Sequence, residues 1–152
     1  MQSLYSQKKN LNRINFSRLN FLKKFTKKVG YSDHSISTDN KKNLAAELAI
    51  YFGAEYIERH VRFLEPAKTK DGPVSILPSD ILGLKNFSRL TQKEMRNYFK
   101  DKYKIKPERF LGKEKRELSD IELLNRDYYR GRFVSKINYE GKYHTINNWE
   151  DI

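Results

Sequence analysis

The chain has no cysteine among its 152 residues, which excludes disulfide bonds and thiolate metal sites. It also lacks any apolar run close to the roughly eighteen residues that suggest a membrane-spanning helix, and it has no basic-then-apolar leader. We therefore expect neither a membrane span nor a secretory signal. With no cysteine framework to indicate an oxidising compartment, a cytoplasmic location is the default expectation.

Acidic residues are few relative to basic ones. Lys and Arg total 31 against 19 Asp and Glu, which gives a formal net charge of +12. Such a balance is found in nucleic-acid-binding proteins, but it also suits an enzyme that handles anionic substrates. The basic residues are spread along the chain and accompany no named nucleic-acid-binding motif, so nucleic acid is not the partner that we expect. A basic module that binds nucleic acid or protein without catalysis is the alternative interpretation.

What the chain does contain is an alternation of strand-like and helix-like segments. In chain order these are strand 2–5, helix 17–28, strand 29–32, helix 44–52, strand 55–63 and helix 78–90. Gly53 is a suitable stop for the second helix, and Pro78 is a suitable first-turn residue for the third. Beyond Tyr98 the pattern weakens, leaving a short helical segment around 121–124 and a turn at 140–141.

Two short motifs on neighbouring strands carry the candidate chemistry. The peptide Gly-Tyr-Ser-Asp-His ends at His34, and the peptide Ile-Glu-Arg-His ends at His60. Because side chains alternate faces along a strand, Ser32 lies on the side of His34, and Glu58 on the side of His60. If the two strands are parallel neighbours, two histidines, a carboxylate and a hydroxyl point into one pocket. Such a pocket suits a divalent metal ion and an anion.

These motifs, with the paired alanines 45–46, Gly53-Ala54 and Gly72-Pro73, resemble in order and spacing the C-terminal part of the barrel of the sialic acid synthases. That family includes N-acetylneuraminate synthase and its legionaminate and pseudaminate relatives. The resemblance runs from residue 3 to about residue 90, and more loosely to the C-terminus. It implies an α/β fold made of about strands six to eight of a TIM-type (β/α)8 barrel, with a short α-helical or irregular tail.

Length predicts that this barrel is partial. A complete barrel typically takes roughly 250 residues, and the chain has 152. We expect residues 1–98 to form the partial barrel and residues 99–152 to form a tail, too short for the antifreeze-protein-like domain that many family members append. The chain is then a fragment or subunit that is inactive alone. A polypeptide carrying the N-terminal half of the barrel is a possible partner, and the resemblance implies a homo-oligomer for the complete enzyme.

The resemblance also implies a reaction. Enzymes of this family condense phosphoenolpyruvate with an N-acyl amino sugar, forming a carbon–carbon bond and releasing phosphate. A divalent metal ion, Mn2+ or Mg2+, polarises the sugar aldehyde and orients an attacking water, and imidazole ligands suit manganese-like ions. By motif match His34 and His60 are the metal ligands, and Glu58 is the catalytic carboxylate that orients or balances the metal site. Alternatively Glu58 pairs with Arg62, which strand alternation places on the same face.

Four further residues are substrate-binding candidates through the resemblance. Ser32 matches a position that holds phosphoenolpyruvate, and Ser3 lies where the family has a polar residue near the phosphate. Tyr5 matches a tyrosine of the amino-sugar pocket, although a serine replaces the family proline that follows it, and packing explains Tyr5 equally well. The family binds sugar hydroxyls with the aspartate of a Gly-Pro-Asp loop. Here that loop reads Gly-Pro-Val, so Asp71, just before it, is a shifted candidate.

Overall fold

The computed structural model describes residues 14–115, residue 117 and the backbone of two strands over 134–139 and 142–147. Its helices are α1 (Ser17–Leu22), α2 (Leu44–Tyr51), α3 (Pro78–Phe87) and α4 (Gln92–Tyr98). Its strands are β1 (Gly30–Asp33), β2 (Tyr56–Arg59), β3 (Val134–Tyr139) and β4 (Lys142–Asn147). Short 3-10 turns span Pro66–Lys68, Gly72–Val74 and Pro107–Phe110, and a π-helical turn, Phe99–Tyr103, continues α4. The predicted strand at 2–5 and the helical segment around 121–124 lie outside the described residues.

β1 and β2 form a parallel pair, as the sequence predicts. Ser32 lies opposite Glu58 in the register, and α2 connects the two strands. A third segment extends the pairing through an isolated parallel bridge between Val61 and Ile76. The N–H of Ile76 donates to the carbonyl of His60 at 2.9 Å, and the N–H of Arg62 donates to the carbonyl of Ile76 at 2.9 Å. Three successive segments of the chain therefore lie side by side in a mixed α/β fold.

The main core packs α2 between the sheet and the later helical segments. Its buried members are Phe16, Leu19, Val29, Leu44, Leu48, Ala49, Tyr51, Phe87, Met95, Phe99 and Tyr103. Phe99 is 0% exposed, and the N–H of Ser17 donates to the carbonyl of Leu111 at 2.7 Å. The packing therefore continues past the predicted boundary at residue 98.

Two helices are shorter than predicted. α1 ends at Leu22 rather than residue 28, and the side chain of Thr26 instead bonds to the backbone N–H and carbonyl of Lys28, which competes with helical bonds. The helix predicted to run to Leu90 stops at Phe87. A new helix starts after Thr91, whose hydroxyl accepts from the N–H of Glu94 at 3.3 Å while the Glu94 carboxylate accepts from the N–H of Thr91 at 2.8 Å.

The prediction of an α-helical or irregular tail is wrong for residues 134–139 and 142–147. β3 and β4 form an antiparallel ladder from Val134 opposite Asn147 to Tyr139 opposite Lys142. Both segments contain β-branched and aromatic residues, which are enriched in strands. The predicted turn at 140–141 connects these strands in the sequence, and those two residues lie outside the described ones.

In the part of the chain that the structure describes, no helix is long and apolar enough to cross a membrane.

Candidate metal and substrate site

The sheet has one face turned to the core and one turned to solvent. Tyr31 and Ile57 pack against the core, and the side chains of Asp33 and Arg59 are buried on the same side. Ser32 and Glu58, which are register partners, are both exposed. Strand alternation thus places the predicted hydroxyl and carboxylate next to each other on the open face.

Glu58 belongs to the β1–β2 ladder, but its side chain forms no hydrogen bond or ion pair with another residue of the described chain. The alternative pairing with Arg62 does not occur there, because the guanidinium of Arg62 donates to the carbonyls of Ser75 at 3.3 Å and Leu64 at 2.8 Å. The Glu58 carboxylate therefore remains available on the exposed face.

The two histidines meet directly after the strands. His34 follows β1 and His60 follows β2, and the centroids of their rings are 4.9 Å apart at an interplanar angle of 56°. His34 is exposed, and the His60 side chain is 34% exposed, so both rings can be reached from solvent. Because a metal ion binds imidazole nitrogen at about 2 Å, rings at this separation can share one ion.

Asp71 lies beside this pair. Its Oδ2 atom is 3.4 Å from Nδ1 of His60, and its side chain is 46% exposed. The two side chains are within ion-pair distance of each other. Asp71, the shifted candidate for binding sugar hydroxyls, therefore lies next to His60.

Two loops that carry the site are bonded to each other. The N–H of Ser37 donates to the carbonyl of Pro73 at 2.8 Å, and its buried hydroxyl donates to the carbonyl of Gly72 at 3.4 Å. Gly72 is required by close approach, because a Cβ atom there would lie 1.8 Å from the carbonyl oxygen of Pro66. The segment after His34 is thereby held to the segment after Asp71.

Sequence reasoning missed the buried ion pair underneath the histidines. Nη1 of Arg59 lies 3.0 Å from Oδ1 of Asp33, and the two side chains are 1% and 2% exposed. Burial lowers the pKa of Arg59, and the charge and hydrogen bond of Asp33 oppose that effect. Burial, followed by the charge of Asp33, raises the pKa of the neighbouring Tyr31 to about 12. The sequence did contain a signal for this ion pair, because residues of opposite charge, Asp33 and Arg59, immediately precede the two histidines.

Among the described residues, the side chains placed together for a metal ion are the two imidazoles of His34 and His60. Within residues 14–115 no three or more His, Cys, Asp or Glu side chains are grouped to hold a metal ion. Two imidazoles fit an ion of the manganese or zinc kind and leave other coordination positions to water or substrate. Ser3 and Tyr5, the remaining sequence candidates, lie outside the described residues.

Comparison with known protein families places the chain in context. The family described as the NeuB family matches residues 3–100, a segment that contains His34, Glu58, His60 and Asp71. Neither curated proteins nor solved structures gave a match. Because the matched segment exceeds half of the chain, the protein belongs to the NeuB family, the family of the sialic acid synthases.

Proposed function

We propose that this chain forms the metal-binding side of an active site that condenses phosphoenolpyruvate with an N-acyl amino sugar. The observation that supports it most is the approach of His34 and His60 to 4.9 Å at the carboxyl ends of two parallel strands. Parallel α/β sheets and barrels bind their ligands at this end of the strands. Family membership supports the same reaction type.

Each residue of the site has a role suited to its chemistry. A bound Mn2+ or Mg2+ ion would supply a Lewis acid for the sugar carbonyl and an activated water. His34 and His60 hold that ion, and Glu58 balances its charge and orients water. Asp71, beside His60, remains the shifted candidate for binding sugar hydroxyls. The exposed hydroxyl of Ser32 donates to phosphoenolpyruvate, and the resemblance adds Ser3 for phosphate and Tyr5 for the sugar.

The charge of the chain supports an anionic substrate. A net charge of +12 raises the local concentration of small anions such as phosphoenolpyruvate around the molecule. The alternative, a basic nucleic-acid-binding module, makes no use of two histidines placed together on one face. We therefore assign the excess charge to substrate attraction.

We also propose that the parallel strands belong to the last part of a TIM-type barrel, completed by a polypeptide that carries the earlier strands. Within the described residues β1 pairs only with β2. The predicted strand 2–5, which lies outside the described residues, would take the other edge of β1, and the earlier barrel strands would pair beyond it. An open parallel edge is a natural site for strand addition. Assembly of the completed barrel into a homo-oligomer follows from the family resemblance.

Titration calorimetry with Mn2+ tests the metal assignment. His34→Ala and His60→Ala should each lower the affinity at least about tenfold, since even outer partners of metal ligands change it by 10–100-fold. His144→Ala is the matched control, because His144 lies in β4 and should leave Mn2+ affinity unchanged. Equal affinities for all four proteins would refute the assignment. If the chain does not bind Mn2+ but binds RNA with an affinity that falls as salt is raised, the alternative of a basic nucleic-acid-binding module is favoured.

A further inference from the structure

One guanidinium on the core side of the sheet holds the backbone on both sides of His34. Nη1 of Arg59 donates to the carbonyl of Asp33 at 2.7 Å and to the carbonyl of Ser35 at 3.3 Å. Nη2 donates to the carbonyls of Ser35 and Lys42, both at 3.3 Å. Residues 33 and 35 flank His34, so both of its neighbours are fixed by the same side chain.

Arg59 is also the residue immediately before His60. Its backbone therefore sets the position of one imidazole, while its side chain sets the backbone that carries the other. The Asp33 carboxylate completes the arrangement, because Oδ1 accepts from the N–H of Ser35 at 2.8 Å and lies 3.0 Å from Nη1 of Arg59. The Arg59 side chain is 1% exposed and lies on the core side of the sheet, opposite the face of Ser32 and Glu58.

We propose that Arg59 is a positioning residue, which keeps the imidazole of His34 against that of His60. The link to metal binding rests on the proposed function, but the link to ring geometry does not. The fork of arginine suits this role, since its two terminal nitrogens together contact the Asp33 carboxylate and three carbonyls, whereas lysine offers a single ammonium. A role in stability alone is a weaker explanation, because buried ion pairs are often replaceable by apolar pairs without loss of stability.

The test combines two measurements on the full chain. The first is the nuclear Overhauser effect between the ring protons of His34 and His60 in metal-free protein with labelled histidine. The second is Mn2+ titration calorimetry. Arg59→Lys is the main variant, and the double variant Asp33→Asn/Arg59→Gln removes the guanidinium contacts without leaving one buried charge. Glu47→Gln is the matched control, because Glu47 is also a buried charge (2% exposed) but bonds to Tyr98 and Tyr103.

Wild type and Glu47→Gln should show the ring-to-ring effect, and the folded Arg59 variants should lose it. Mn2+ affinity should fall about tenfold or more in the Arg59 variants, as for other groups that orient metal ligands, and should stay within about twofold in the control. The proposal is overturned if a folded Arg59 variant keeps the ring contact, or if wild type lacks it. If Arg59→Lys fails to fold, the double variant decides. Wild type that shows the ring contact but no Mn2+ binding would refute only the metal assignment.

Discussion

At the scale of single residues, the site depends on a close backbone contact at Gly72, where no side chain would fit. Gly72 packs directly against the backbone of Pro66, and its carbonyl accepts from the buried hydroxyl of Ser37. Asp71, whose carboxylate faces His60, immediately precedes it. The position of that carboxylate therefore depends on the absence of a Cβ atom one residue later.

Gly72→Ala should lower the free energy of unfolding by about 1–3 kcal/mol, the usual cost of forcing atoms into a packed region. A Cβ at 1.8 Å from the Pro66 carbonyl oxygen requires the backbone to move. Gly83→Ala is the matched control: nothing lies within 4 Å of its Cβ, and it is inside α3. The control should stabilise the protein by up to about 1 kcal/mol, because alanine favours helix over glycine. Urea denaturation measures both changes, and equal stability of the two variants would contradict the packing argument.

The sequence predicted which residues lie on the open face of the sheet, but it did not predict the buried pair of Asp33 and Arg59 on the core side. A period of two puts Ser32 on the side of His34 and Glu58 on the side of His60, and parallel pairing of the two strands brings these sides together. The pairing of Asp33 with Arg59 requires the strand register as well, because a shift of one residue would separate them. The approach of Asp71 to His60 depends on the loop at Gly72–Val74, whose path follows from tertiary packing rather than from periodicity.

At the scale of elements, the start of α3 is joined to the segment before α2 by Asp80. Its Oδ2 accepts from the N–H of Leu77 at 2.9 Å, and its Oδ1 lies 2.8 Å from Nζ of Lys42. Its carbonyl accepts from the side-chain amide of Asn43 at 3.2 Å. Burial raises the pKa of Asp80, but the hydrogen bonds from Lys42 and from the backbone of Leu77 prevail and lower it below its usual value.

Asp80→Asn should therefore lower the free energy of unfolding at pH 7 by about 1 kcal/mol, as expected for a lost helix-start interaction. A carboxylate with a lowered pKa stabilises the fold above its unfolded pKa of about 4, and that contribution is lost as pH falls through the folded pKa. The difference between wild type and variant should shrink below about pH 4. Urea unfolding at several pH values measures it, with the exposed Asp101→Asn as control. A difference that persists unchanged at low pH would contradict the argument.

Elements with a clear apolar period and a clear stop residue were predicted well. Elements whose ends depend on a local polar start signal within a continuing apolar pattern were not. α2 ends close to where Gly53, at φ +85°, predicts its stop, because glycine adopts that conformation without strain. The break between α3 and α4 was missed, although Thr91 and Glu94 have the spacing of a capping box. Apolar periodicity continues across the break to Leu90, so it conceals the polar start signal.

At the scale of the whole molecule, the segment after α4 belongs to the core. Phe99 and Tyr103 are buried beside Leu48 and Tyr51 of α2. Sequence periodicity could not show this, because a π-helical turn shifts the positions that face the core relative to an α-helix. The sequence therefore predicted the β1–α2–β2 layer but not the later helical turns that pack on it.

The purified chain should release no phosphate from phosphoenolpyruvate in the presence of N-acetylmannosamine or related sugars. This expectation rests on the proposed barrel, in which loops after the earlier strands would supply the rest of the substrate site. Addition of a polypeptide with strands one to five of a family member should restore phosphate release in the same assay. A polypeptide with strands one to four is the control. Robust turnover by the 152 residues alone would contradict the proposed division of the site.

The hydrogen bonds of Glu47 show that the segment matched by the family and the segment that packs as one core end at different residues. The family match ends at residue 100, inside the turn Phe99–Tyr103. Glu47 accepts from the hydroxyl of Tyr98 before that point and from the hydroxyl of Tyr103 after it, both at 2.6 Å. A chimaera joined at residue 100 would inherit the buried carboxylate while its second phenol came from an unrelated sequence. A junction after Leu111, whose carbonyl accepts from the N–H of Ser17, transfers the carboxylate together with both of its partners.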